Sequence, residues 1–252
     1  MSTAIPPMPA ETAPRLSEPA RVINTFIAPS KTFTDICRRP SWAGFLLPFV
    51  LAWIFSFGYF YTVDKKVGIE NIMTQNMEHM PQFIQDAMQR ITPEQQQKSL
   101  ERQRRSVLYY SWINYLIIGA IAAALFMVAF NFGLEAGVPY KNALTIYFYA
   151  MLPKILWALL AIVVLYKGVD PGGFNMENPV TTNIGAFFDR WTTNKLLYTF
   201  LSFIDIFTIW SVILLAIGFM RSSAKKISMG AALAAVICVY VLGILIRSAV
   251  PF

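Results

Sequence analysis

The 252 residues are 56% hydrophobic and only 14% charged, whereas soluble domains are about a quarter charged and just under half apolar. A formal net charge of +7 would suit nucleic acid in a soluble protein, but here the basic residues stand beside apolar runs. That placement fits anionic lipid headgroups and argues against a nucleic-acid partner. The single histidine, His79, excludes a histidine-based metal cluster, and no cofactor-binding motif is present.

The first 20 residues hold five prolines and no apolar core of a signal peptide. They are expected to form a disordered tail with no cleavable signal, the first apolar run serving as the insertion signal. Residues 21–40 carry two short apolar faces, Val22, Ile23, Phe26 and Ile27, then Phe33, Ile36 and Cys37. The first face ends at Pro29 and the second at Pro40, with Ser30 as a candidate cap. Two readings fit: helices at the bilayer surface with their basic side outward, or helices packed on the rest of the protein.

A membrane span needs about 20 mostly apolar residues to cross a hydrocarbon core of about 30 Å. Five runs qualify, at about 42–61, 109–132, 142–166, 196–220 and 227–246. Three contain no charge; the third has only Lys154 and the fourth only Asp205. The expected fold is therefore an all-α integral membrane protein, a bundle of five transmembrane helices over residues 41–250. Cys37 and Cys238 lie apart in the sequence and read as reduced bystanders.

The connection at 62–108 is patterned. Ile69, Ile72, Met73, Met77, Met80, Phe83, Ile84, Met88 and Ile91 recur at helical steps, with a break expected at Met80-Pro81. Thr92-Pro93 with Gln95 predicts a capping box and a helix running into the second span. This connection is expected to be a helical cap over one end of the bundle, with a Met-rich face that covers the bundle or meets a protein partner. Gly119 with Ala123, and Gly230 with Ala234, are spaced for close helix packing. Arg38, Arg39, Arg221, Lys225 and Lys226 flank spans and are the candidate headgroup contacts. Orientation is ambiguous by charge, because Arg102, Arg104 and Arg105 lie at the opposite end from Arg38 and Arg39.

The third run holds the candidate polar site: Pro153, Lys154 and, one turn earlier, Tyr149. Pro153 removes the amide that would bond the Tyr149 carbonyl, so the helix should bend there. A lysine at mid-helix costs about 2.5–3.5 kcal/mol on insertion scales and needs relief. It can snorkel, bond carbonyls freed at the kink, or pair with Asp205, whose depth lies within about one helical turn of its own. The pair would either fix helix register or line a path for an ion, solute or proton. No nucleophile elbow, metal-ligand spacing or phosphate-binding glycine loop accompanies it, so an enzyme is not expected.

The segment "RVINTFIAPSKTFTDICRRPSW" before the first span, "YAMLPKI" in the third and "IDIFTIWSVILLAIGF" in the fourth resemble prokaryotic members of the Ypt/Rab-interacting membrane protein (Yip) family. The resemblance covers about residues 20–248. It implies a five-helix bundle in the bacterial inner membrane with a cytoplasmic N-terminus. Eukaryotic relatives bind Rab GTPases in Golgi and endoplasmic-reticulum membranes, through an Asp-Leu-Tyr-Gly-Pro motif. Ala28-Pro29-Ser30-Lys31 stands near that place here, so Rab binding does not carry over. The leading expectation is a non-enzymatic scaffold that organises membrane or recruits a partner through its N-terminal segment or cap. The rival is a small-solute or ion transporter using Lys154 and Asp205.

Overall fold

A computed structural model describes residues 15–249, apart from the side chains of Met88 and Gln89. Most of the expected N-terminal tail, and the Met88 position of the methionine stripe, lie outside that description. Among the described residues the regular structure is helical, with one isolated bridge between Asn183 and Asp205. Helices α1 (Glu18–Ile27) and α2 (Pro29–Arg38) precede α3 (Leu46–Lys66). Next come α4 (Ile69–Glu78), α5 (Gln82–Gln89) and α6 (Pro93–Arg105), then a π turn at Ser106–Tyr110 that leads into α7 (Ser111–Leu134). The remainder is α8 (Tyr140–Ala150), α9 (Pro153–Lys167), a 3₁₀ turn at Ile184–Phe187, α10 (Lys195–Phe203), α11 (Ile206–Ser222) and α12 (Met229–Ala249).

Four helices are long and apolar enough to cross a membrane: Leu46–Lys66, Pro93–Leu134, Tyr140–Lys167 and Met229–Ala249. Their outward faces are greasy at helical spacing. On α7 the exposed side chains include Ile117, Ile121, Leu125 and Val128, and on α12 Ile237, Val241 and Leu245. Water would not tolerate such contiguous apolar stripes, whereas hydrocarbon solvates them. The protein is an integral membrane protein.

The fourth apolar run differs from the expected single helix. It is divided into α10 and α11, because Ile204 and Asp205 leave helical geometry and Asp205 caps the second piece. Its carboxylate accepts bonds from the amides of Phe207 and Thr208, each at 3.0 Å. The freed backbone is matched elsewhere: the Ile206 amide donates to the Thr182 carbonyl and the Ile184 amide to the Ile204 carbonyl, both at 3.4 Å. Broken backbone at depth is tolerable only where protein groups satisfy it in this way.

One core cluster packs α1 and α2 on the bundle, and a second, around Tyr59, Val63, Ile69, Ala161 and Leu165, joins α3, α4 and α9. Phe33, Phe130, Ile146, Tyr149, Leu215 and Phe219 are fully buried in the first, and the Phe130 and Phe219 rings stack at 4.5 Å. A β-carbon on Gly218 would collide with Ile146 and press on Phe33, so α11 approaches α8 and α2 through a bare backbone. Gly119 plays the same part on α7: a β-carbon there would lie 2.6 Å from the Phe148 ring. The Gly230 and Ala234 face does not pack as expected. Gly230 has nothing within 4 Å, and the buried α12 residues are Ala232, Val236 and Ile244.

The N-terminal helices pack on the bundle as well as presenting an outer face. Phe33 and Ile36 are buried, while Ile23 is 59% and Ile27 75% exposed. Arg21, only 2% exposed, secures the pair by bonding Asp35 at 2.8 Å and Glu18 at 2.6 Å. Glu18 in turn accepts the Tyr149 hydroxyl at 2.9 Å. Ser30 caps nothing: α2 begins at Pro29, with Ala28 before it and no side-chain bond. At the other end, the Thr92–Gln95 capping box forms, and a bidentate Arg104–Asp64 pair, both bonds 2.7 Å, ties α6 to the end of α3. Ile69 and Ile72 of the α4 stripe are buried, whereas Phe83 on α5 is exposed.

Candidate functional site

Pro153 divides the third run into α8 and α9, with Met151 and Leu152 between them. The Tyr149 carbonyl is not left bare, because the Leu152 amide reaches it at 3.2 Å through a tightened turn. Lys154, on the first turn of α9, points its ammonium at α11. Its Nζ lies 2.6 Å from the Thr208 hydroxyl and 3.4 Å from Asp205 Oδ1. The structure thus brings Lys154 and Asp205 together, with Thr208 as the nearer contact. The other carboxylate oxygen of Asp205 accepts the Thr182 hydroxyl at 2.6 Å. One acidic group therefore caps a helix, binds the preceding loop and faces the lysine. The Asp205 side chain is 4% exposed, against 41% for Lys154, so the acid is enclosed and the base reaches an opening.

That opening has two compartments. A cavity of about 460 Å³ lies between α3, α9 and α10, with Phe55, Phe60, Trp157 and Ala158 among its walls. A second, of about 930 Å³, lies toward α4, α10 and the end of α12, and is lined by Arg190, Tyr198, Lys195 and Arg247. Lys154, Glu177, Asn178 and Ser202 line both. The polar walls are held by amides. Arg190 donates to Asn175 at 3.2 Å and Asn76 at 3.3 Å and stacks on the Trp191 ring at 4.1 Å. The Tyr198 hydroxyl accepts from Asn175 at 2.8 Å and Asn178 at 2.7 Å. Arg247 pairs with Glu177 at 2.5 Å. Beside this wall, Asp189 accepts the amides of Thr192 and Trp191, which hold its carboxyl below the usual range.

The sequence singled out Lys154, Asp205, Pro153 and Tyr149 but missed the rest of this set. Tyr149 does not join it: its hydroxyl turns toward Glu18 and the N-terminal helices. Thr208 carries no signal of its own, because the helix break that sets it beside Lys154 is hidden in an apolar run. Thr182, Asn76 and Arg190 carry no local signal, since they converge from distant segments. Arg38, Arg39, Arg221, Lys225 and Lys226 are all exposed at the opposite end, where α2 packs on α11, and Lys225 pairs with Glu135. Among the described residues no cluster of three or more metal-ligating side chains occurs.

These features define a polytopic helical membrane protein with a broken inner helix and a polar cavity at one end. The Yip1 domain model matches residues 23–247, and the chain belongs to that family. No curated protein and no solved structure matches it.

Proposed function

We propose that the protein is a non-enzymatic membrane scaffold of the Yip type, embedded by five spans and presenting its N-terminal helices at the headgroup layer. The observation that carries the reading is the α1–α2 pair. Buried Arg21 ties α1 to α2 and Glu18 joins the pair to Tyr149 of the bundle, while Ile23, Ile27 and Trp42 remain exposed on a segment that also exposes Lys31, Arg38 and Arg39. Apolar side chains rimmed by cations suit insertion among anionic lipids. α10 and α11 supply the fifth crossing in this reading. α11 alone has 17 residues, about 25 Å of helix at ~1.5 Å per residue, and α10 extends it. The family resemblance supports a cytoplasmic N-terminus in a bacterial inner membrane, as does the short loop after α11 with Lys225 and Lys226. Transport is less favoured because Tyr149, Leu215 and Phe219 are fully buried in the packed core and line neither compartment at Lys154.

Reconstitution into sealed phosphatidylethanolamine–phosphatidylglycerol vesicles tests this. Proton and potassium gradients should decay as in protein-free vesicles. Vesicle shape in electron micrographs should change with the wild type, and change less with Ile23→Asp plus Ile27→Asp. Gradient collapse that disappears in Lys154→Met would replace the scaffold with a transport pathway.

A further inference from the structure

The two compartments at Lys154 differ in chemistry yet share walls. One is apolar and aromatic, and the other is lined by four cationic side chains, Lys154, Arg190, Lys195 and Arg247. Only Glu177 opposes them in that wall, with Asp205 at the boundary. Arg247 pairs with Glu177 at 2.5 Å, and Lys154 with Asp205 at 3.4 Å. Arg190 is different. Its bonds among the described residues go to neutral amide oxygens of Asn175 and Asn76, so its position is fixed while its charge is unmatched. A guanidinium held open in that manner is suited to a phosphate.

Two further donors face the same space. The Tyr198 oxygen already accepts two amide hydrogens, so its own hydrogen remains to be given. An ammonium has three hydrogens, and Lys154 gives two, to Thr208 and Asp205, which leaves a third for a ligand. A small soluble anion would use these groups but would leave the aromatic compartment empty. That compartment falls in the size range of pockets that enclose apolar ligands, about 300–1,000 Å³. Leu196, Leu197 and Phe200 are exposed on α10, the helix that also gives Tyr198 and Ser202 to the polar wall, and Phe187 of the 3₁₀ turn is exposed too, an apolar surface suited to lipid.

We propose that this is one binding site for a phosphate-bearing membrane lipid, its headgroup on Arg190, Tyr198 and Lys154 and an acyl chain between Phe55, Phe60 and Trp157. None of the residues lining either compartment belongs to α1 or α2, and the site does not depend on the scaffold role of those helices. Loss of vesicle reshaping and loss of lipid binding are thus separable results.

The test uses the full chain in detergent micelles, with native mass spectrometry and thermal melting under added lipid. Phosphatidylglycerol should be retained and should raise the melting temperature. Arg190→Gln should weaken its retention about tenfold, while Lys98→Gln, on the exposed face of α6 and outside both compartments, leaves it unchanged. Ala52→Trp, which places bulk in the apolar compartment, should weaken it as well, with circular dichroism confirming that each variant is folded. Retention by a folded Arg190→Gln equal to wild type would overturn the proposal. Equal retention of dioleoylglycerol would show that phosphate is not read and would also overturn it. Equal stabilisation by glycerol 1-phosphate would assign the site to a soluble phosphate ester and overturn the lipid reading.

Discussion

Replacing Asp205 separates the two jobs of its carboxylate. Asparagine keeps the cap, since Asn and Asp serve N-caps about equally well, but it loses the negative charge facing Lys154. That loss is modest, because the Lys154 side chain is 41% exposed and can turn to solvent. A pair open to solvent on its lysine side stays near the range of exposed pairs, about 0–1 kcal/mol, so Asp205→Asn should cost about 1 kcal/mol. Alanine removes the acceptor for the Phe207 and Thr208 amides and for the Thr182 hydroxyl. Losing the cap costs about 0.5–2 kcal/mol, and an unsatisfied buried donor adds about 1–3 kcal/mol. Asp205→Ala should therefore cost about 3 kcal/mol. The assay is equilibrium unfolding in dodecyl maltoside with a rising fraction of dodecyl sulfate, followed by far-ultraviolet circular dichroism. If asparagine destabilises as much as alanine, charge pairing rather than capping holds the break, and the reasoning fails.

Cys37 offers a pH test. Burial pushes its thiol up to about 11, against a weaker opposing bond to Ser222. The fold thus favours the neutral thiol, so its contribution is present below the unfolded value near 9 and is lost as pH rises toward 11. The melting temperature should fall more steeply over that window in wild type than in Cys37→Ala; parallel curves would refute it. Gly218→Ala should destabilise by about 1–3 kcal/mol through overpacking against Ile146 and Phe33. Gly230→Ala, with open space around it, should instead stabilise α12 by about 0.5–1 kcal/mol. The reverse order in detergent melts would contradict the packing described.

The first, second, third and fifth apolar runs were legible because hydropathy and length suffice when backbone bonds are internal to a helix. The Thr92 cap and the Pro81 and Pro153 boundaries were legible because each is local chemistry. Asp205 was visible as a charge but not as a break, since the apolar residues on both sides mask the capping pattern. The Gly230 face misled because spacing marks a small-residue stripe and says nothing of its direction. Arg190 escaped notice entirely: its partners Asn175 and Asn76 lie 15 and 114 positions away. Such groups are recognised only after the chain has brought them together.

The Asn183–Asp205 bridge bears on how the polypeptide enters the bilayer. Synthesis delivers Lys154 first and Thr182 next, so the basic residue emerges before its acidic counterpart exists. Alone, the α8–α9 helix would expose an ammonium to hydrocarbon, at the several-kilocalorie cost such groups carry. The smallest nascent fragment with matched charges ends beyond α11. A chain arrested after Lys167 should thus linger at the insertion machinery, and one arrested beyond Ser222 should pass into lipid as a closed hairpin.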